Sequence, residues 1–182
     1  MISVEIEIPP DIAEKWEERD GPIVKYPHPA LYETARPVTK ADGSMRELVD
    51  RMKCAMNQFS GVGLAAPQLG IPLRVIIWKL PLENEPLRVI VNPKILSRKG
   101  EQIGVEGCLS IPLLQGDVKR ANEVIVKGMD ILGRPFRRRA TEFEARVIQH
   151  EVDHLDGILF IERAEPDTLH WIVEGEEHEE GV

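Results

Sequence analysis

Apolar residues change their spacing along the chain, and each change predicts a different element. Between residues 45 and 59, Leu48, Val49, Met52, Ala55, Met56 and Phe59 recur at helical intervals, the pattern of a helix that buries one face. Ser44-Met45-Arg46-Glu47 ahead of them has the form of a capping box, and Gly61 lies just past the end, which predicts a helix over 45–59 with Cys54 and the methionines serving the core. The pattern then shortens to extended runs broken by Pro and Gly. Residues 73–80, 87–91, 102–105, 123–130 and 136–140 read as strands, the last two joined as a hairpin through Leu132-Gly133-Arg134-Pro135. Helical spacing returns after a second capping box, Thr141-Glu142-Phe143-Glu144, and runs to Leu155 before Gly157. Shorter helices are predicted over 11–18 and 167–173. Strands segregated from helices in this order predict an α+β fold with antiparallel sheet.

Length and charge narrow the picture. A chain of 182 residues with 42% hydrophobic and 30% charged residues suits one folded domain and excludes wholesale disorder and fibrous architectures. Apolar runs such as Val75-Ile76-Ile77-Trp78 are far short of the roughly 18 residues that span a bilayer, so no membrane association is expected. Met1-Ile2-Ser3-Val4-Glu5-Ile6-Glu7 alternates apolar and acidic residues and has no secretory pattern, giving a cytoplasmic expectation. The net charge of -8 is concentrated: residues 164–182 hold seven acids and no Lys or Arg, so the remainder is near neutral. That segment is expected to be solvated and partly disordered. An acidic total argues against direct nucleic-acid binding, and Arg137-Arg138-Arg139 reads as a solvated strand end. Two cysteines, Cys54 and Cys108, cannot form a disulfide framework.

Chemistry concentrates on the last long helix. His150-Glu151-Val152-Asp153-His154 sets two imidazoles four residues apart, on one helix face where both can reach one metal ion. In this His-Glu-x-x-His pattern the Glu is not a ligand; it holds a water and moves its proton. The fold is therefore expected to pack its antiparallel sheets around a central metal-binding helix. Glu106-Gly107-Cys108-Leu109-Ser110 follows a strand and puts a cysteine between small residues. Its thiolate could complete a three-ligand site, or it could be an inert buried thiol. The run from Gly61 to Gly70 is rich in small residues and contains Gln68. It allows close backbone approach to a ligand, or serves only as a tight connection. It lacks the Lys-Ser/Thr ending of a phosphate loop.

Taken together these segments resemble the peptide deformylases. The family's three ordered motifs stand here as Gly61 to Gln68, Glu106 to Ser110, and Gln149 to Leu155. Further similarity in Ile23 to Pro29 and Ala35 to Val38 extends the resemblance over roughly residues 21–162. It divides the chain into an N-terminal extension (1–20), a single catalytic domain (21–163) and the acidic C-terminal segment (164–182).

The resemblance implies removal of the N-formyl group from the initiator formyl-methionine of nascent polypeptides. Cys108, His150 and His154 would bind one divalent metal ion, Fe²⁺ natively in many members, with Zn²⁺, Ni²⁺ or Co²⁺ as loaded alternatives. A water held there would attack the formyl carbon, with Glu151 as general acid and base. The Gln68 amide and the Leu109 backbone N–H would stabilise the developing oxyanion. Gly61, Val62, Gly63 and Gly107 would hold the peptide as an added strand. Val62, Phe143, Val147, His150 and the stem of Glu106 would receive the methionine side chain, although Phe143 and Val147 could equally be core. Arg120 and Asp153 would pair behind the ligands. The partner implied is an N-formylmethionyl peptide or nascent chain, with transient ribosome proximity.

The chain departs from the family pattern in its first 20 residues, which Ile12 and Trp16 could dock on the body, and in Leu113 and Gln115, where many members carry Gly or a basic residue. The acidic end lacks a long basic helix for ribosome docking. His-Glu-x-x-His also marks zinc peptidases, but those take a third His or Glu downstream, and here Cys108 lies upstream. A metal-binding protein without catalysis would need neither Glu151 nor Gln68.

Overall fold

The computed structural model describes residues 5–18, 21–40 and 43–172. Among the described residues, three helices, α1 (Pro10–Glu18), α2 (Gly43–Gln58) and α3 (Glu142–Leu155), combine with eight strands in two antiparallel sheets. The strands are β1 (Gly63–Ala65), β2 (Val75–Trp78), β3 (Arg88–Lys99), β4 (Gln102–Cys108), β5 (Ile111–Arg120), β6 (Glu123–Met129), β7 (Pro135–Thr141) and β8 (His170–Trp171). The larger sheet has the order β1-β2-β3-β6-β7 and the smaller β4-β5-β8. The α+β class expected from the element order is the one found.

Strand β2 explains how the larger sheet sits. All four of its residues are buried, because successive side chains point to opposite faces and each face is covered. Val75 and Ile77 pack with Met45, Leu48, Val49, Met52 and Met56 of α2. Ile76 and Trp78 pack with Val147, Ile148, Val152 and Leu155 of α3. The sheet is thus sandwiched between α2 and α3. A third cluster covers the smaller sheet, with Ile111, Leu114 and Val118 of β5 against Leu31, Leu159, Phe160, Ile161 and the N-terminal Trp16.

Several local expectations are corrected. Helix α2 begins at Gly43, which puts Ser44 inside the first turn. Cys54 is exposed, because it falls on the solvent side between buried Met52 and Ala55. Thr141 is the N-cap of α3 but its side chain makes no capping bond; it closes β7 opposite Glu123, and Glu142 turns the chain through φ +54 into the helix. Strand β5 escaped the sequence reading because Pro112 and Gly116 interrupt its apolar pattern. Strand β3 runs to Lys99 with two register shifts. The helix expected over 167–173 is a 3₁₀ turn, Pro166–Thr168, followed by β8, since pairing with Leu114 and Gln115 of β5 outweighs the local helical pattern. Val173 and the acidic residues after it lie outside the described residues.

Candidate active site

Helix α3 carries polar side chains into the interior, and each needs a partner there. From Ala145 to Leu155 every residue is buried. Gln149 ties the helix to the β5–β6 corner: its Nε2 donates to the Ala121 carbonyl at 2.9 Å, and its Oε1 accepts from the Ala121 N–H at 3.2 Å. Asp153 receives Arg163 through Nε at 2.5 Å and Nη2 at 2.7 Å, and also accepts from Arg120. At the helix end, Gly157 adopts φ +72, and a Cβ there would lie 2.4 Å from the Tyr32 carbonyl oxygen, so the turn admits only glycine.

One helical turn apart, His150 and His154 bring their rings to a centroid distance of 5.0 Å. Cys108 reaches them from the end of β4. A register shift between Gly107 and Cys108 accompanies the tight turn into β5, re-aiming the side chain as such irregularities do. Its Sγ lies 3.2 Å from His154 Nε2. One donor atom from each of Cys108, His150 and His154 falls within 4.8 Å of the others, a set that fits one divalent ion of the kind thiolate and imidazole favour. His150 Nδ1 is committed to Glu106 Oε2 at 2.9 Å, which leaves its Nε2 for the cluster. Burial, first of all, pulls His154 well below the usual imidazole range, the direction that favours the neutral ring a metal needs.

Glu106 is the buried hub beneath these three side chains, with 0% exposure. It accepts a bidentate pair from Arg120, with Nε and Nη2 both at 2.9 Å, and a third bond from Arg146 Nη1 at 2.8 Å. With His150 these fill the capacity of its two oxygens. Burial alone would raise its pKa, but the Arg120 and His150 bonds hold it well below the usual carboxylate range. Arg146 also binds the carbonyls of Gly104 and Val118, at 3.1 and 2.9 Å, clasping the β4–β5 hairpin to α3. Sequence reasoning found the Arg120–Asp153 pair but missed Arg146 and Arg163. A basic residue four positions before His150 on a buried helix was the available signal for Arg146.

Over Cys108 and His150 lies a cavity of about 160 Å³. Gly61, Val62, Gly63, Gln68, Gly107, Cys108, Leu109, His150 and Glu151 all line it. Glu106 and His154 lie beneath, buried. Phe143 and Val147 do not line it; they pack one layer back, in the cluster of Trp78 and Val124 against which Val62 also rests. Their place is core because the face of α3 that bears them lies on the larger sheet.

Two further side chains are aimed at the reacting region. Gln68 is fixed by the Ala65 N–H, which donates to its Oε1 at 2.9 Å, leaving Nε2 to point toward Ser110 Oγ at 3.2 Å and Cys108 Sγ at 3.5 Å. Glu151 is 3% exposed, and burial pushes its pKa up to about 7. Its Oε2 and the Nδ1 of His154 are buried without a hydrogen-bond partner among the described residues. An unpaired buried acceptor such as Glu151 Oε2 calls for a partner beside the donor set, whereas His154 offers that set its Nε2 and not its Nδ1.

Comparison with known proteins adds a consistent set of findings. The family described as polypeptide deformylase matches residues 21–169. A peptide deformylase of Acidobacterium capsulatum is 44% identical over 144 residues, covering 78% of this chain and 85% of that protein. One of Dehalococcoides mccartyi is 40% identical over 161 residues, 88% of this chain and 96% of that protein. Among solved structures, the Met-Ala-Ser-bound class I type b peptide deformylase of Acinetobacter baumannii superposes with a TM-score of 0.73 at 40% identity, covering 78% of this chain and 97% of that one.

Proposed function

Since this chain belongs to the polypeptide deformylase family, metal-dependent enzymes that remove the N-formyl group from nascent peptides, we propose that its own Cys108, His150 and His154 hold the ion and that Glu151 and Gln68 carry the chemistry. Fe²⁺ is the native ion in this reading, with Zn²⁺, Ni²⁺ or Co²⁺ accepted by the same donors. When bound, the ion supplies a Lewis acid that polarises the formyl oxygen and lowers the pKa of a neighbouring water.

The substrate is the formylmethionyl end of a peptide or nascent chain, met in the cytoplasm in transient proximity to the ribosome. Its backbone lies along the Gly61–Gly63 edge, beside the outer strand β1 of one sheet, and along Gly107 on the outer strand β4 of the other. The methionine side chain enters between Val62 and His150, with Glu106, Phe143 and Val147 behind. Glu151 Oε2 accepts a proton from the attacking water as its oxygen bonds to the formyl carbon. The carbonyl oxygen, now negative, accepts hydrogen bonds from Gln68 Nε2 and the Leu109 backbone N–H. As the C–N bond breaks, Glu151 returns the proton to the departing amine, and formate and a free amino terminus remain.

The observation that carries this reading is the convergence of a buried carboxylate, one oxygen of which has no partner among the described residues, and a fixed amide donor on one cavity beside the Cys-His-His set. The test is formate release from a formyl-Met peptide by wild type and Glu151→Gln, with bound metal quantified in both. A loss of about 10² to 10⁴-fold in turnover with metal retained is expected. An inactive wild type that is folded and metal-loaded would overturn the reading.

A further inference from the structure

The cavity has a wall that the reaction leaves unused. Leu113 and Gln115 of β5, Ile172 beyond β8, and Lys25 all line it. Leu113 holds φ +66, a left-handed conformation that a residue with a Cβ adopts only when its surroundings impose it. Leu113 lies in the irregular stretch of β5 opposite the Gly107–Cys108 register shift, and the C-terminal strand braces it there: the Ile172 N–H donates to the Leu113 carbonyl at 2.8 Å, and Trp171 and His170 pair with Leu114 and Gln115.

The N-terminal segment stands behind that strand. Trp16 is 8% exposed, and its ring meets Trp171 edge-on at 6.0 Å. The Trp16 carbonyl accepts Lys25 Nζ at 2.7 Å, and the Ile6 N–H donates to the Tyr26 hydroxyl at 3.3 Å. Residues 5–18 therefore reach this wall twice, directly through Lys25 and indirectly through Trp171.

An extended peptide turns successive side chains to opposite faces. The side chain after the methionine therefore cannot share the Val62–His150 pocket and faces other parts of the lining. We infer, resting on the deformylase reading above, that the N-terminal segment is a specificity-determining part of this chain: through Trp16, Trp171 and Lys25 it holds the Leu113–Ile172 wall in place to receive an apolar side chain directly after the formylmethionine. Leu113 and Ile172 offer apolar surface, and the Lys25 ammonium that would otherwise attract acids is engaged by the Trp16 carbonyl.

The experiment compares kcat and KM for formyl-Met-Leu-Ala and formyl-Met-Gly-Ala, using the full-length, metal-loaded protein as wild type, Trp16→Ala, Trp16→Phe and Leu113→Gly. Wild type is expected to favour the leucine peptide about tenfold or more in kcat/KM, the discrimination an apolar contact supplies. In Trp16→Ala the preference collapses through KM for the leucine peptide while kcat for the glycine peptide is kept, and Trp16→Phe retains it. Leu113→Gly, which suits φ +66 and so does not strain the fold, also loses the preference and keeps the inference testable should Trp16→Ala not fold. Formate release without any leucine preference in wild type, or an intact preference in a folded Trp16→Ala or in Leu113→Gly, would overturn the inference alone. No formate release from either peptide by wild type would overturn the deformylase reading and this inference with it.

Discussion

Position 63 shows how much can hang on a missing methyl group. A Cβ built on Gly63 would lie 2.3 Å from Glu151 Oε1 and 2.9 Å from its carboxyl carbon, so alanine there must push the carboxylate aside. Gly63→Ala is expected to fold and bind metal but to lose roughly 10²-fold or more in turnover, since a displacement of about 1 Å at a reacting group costs that much. Full activity in the variant would show that Glu151 does not act from the position seen. At this scale the sequence was informative wherever chemistry is written in residue type. Two imidazoles at i and i+4 share a helix face whatever surrounds them. It was silent where the environment decides: nothing local sets Phe143 and Val147 behind the cavity lining. Arg146 shares that limitation, because its partners Glu106, Gly104 and Val118 all lie on another element.

Among the elements, the β6–β7 hairpin was the most legible, its register running from Glu123 opposite Thr141 to Met129 opposite Pro135. Its turn is held by Asp130, whose Oδ1 accepts the backbone N–H of Leu132 at 2.8 Å and of Arg134 at 3.0 Å. The Arg134 backbone N–H, then its guanidinium and the Leu132 N–H, hold the Asp130 carboxyl below the usual range. A carboxyl whose pKa is lower folded than unfolded adds stability at neutral pH, above its unfolded value of about 4, and loses it as pH falls through the folded value. Asp130→Asn should therefore melt with a shallower acid dependence than wild type below about pH 4, the difference vanishing at the acid end of the series. Parallel melting curves at every pH would remove this role from Asp130. Strands β5 and β8 were not legible because the proline and glycine within β5 break its periodic signal, while β8 has only two residues and finds its partner in β5 far along the chain.

Over the whole molecule, the donors Cys108 and His154 are 46 residues apart in sequence and belong to different layers, one at the end of the smaller sheet and the other on the helix that packs against the larger. On the proposed reading, an ion bound to both would tie the layers together and stabilise only the folded state. At about a thousandfold excess over its dissociation constant this is worth about 4 kcal/mol, or roughly 8 to 16 °C in Tm for a chain of this size. Chelation should lower Tm accordingly and re-addition of metal restore it, whereas a Tm indifferent to chelation would remove the three side chains as ligands. Among the described residues no helix is long and apolar enough to cross a membrane, in keeping with the short apolar runs of the sequence.

What the sequence determined by itself was local or chemical: the α+β order of elements, the helical pairing of His150 and His154, and three motifs carrying Cys, Gln and Glu together. These depend on spacing and residue type, which neighbours along the chain already supply. Only the tertiary structure decided the division into two sheets, the buried Glu106 hub with its two arginines, and the docking of the N-terminal segment on the wall that Ile172 completes. Each depends on contacts between residues far apart in sequence, whose partners are chosen by packing and by the need to satisfy buried polar groups.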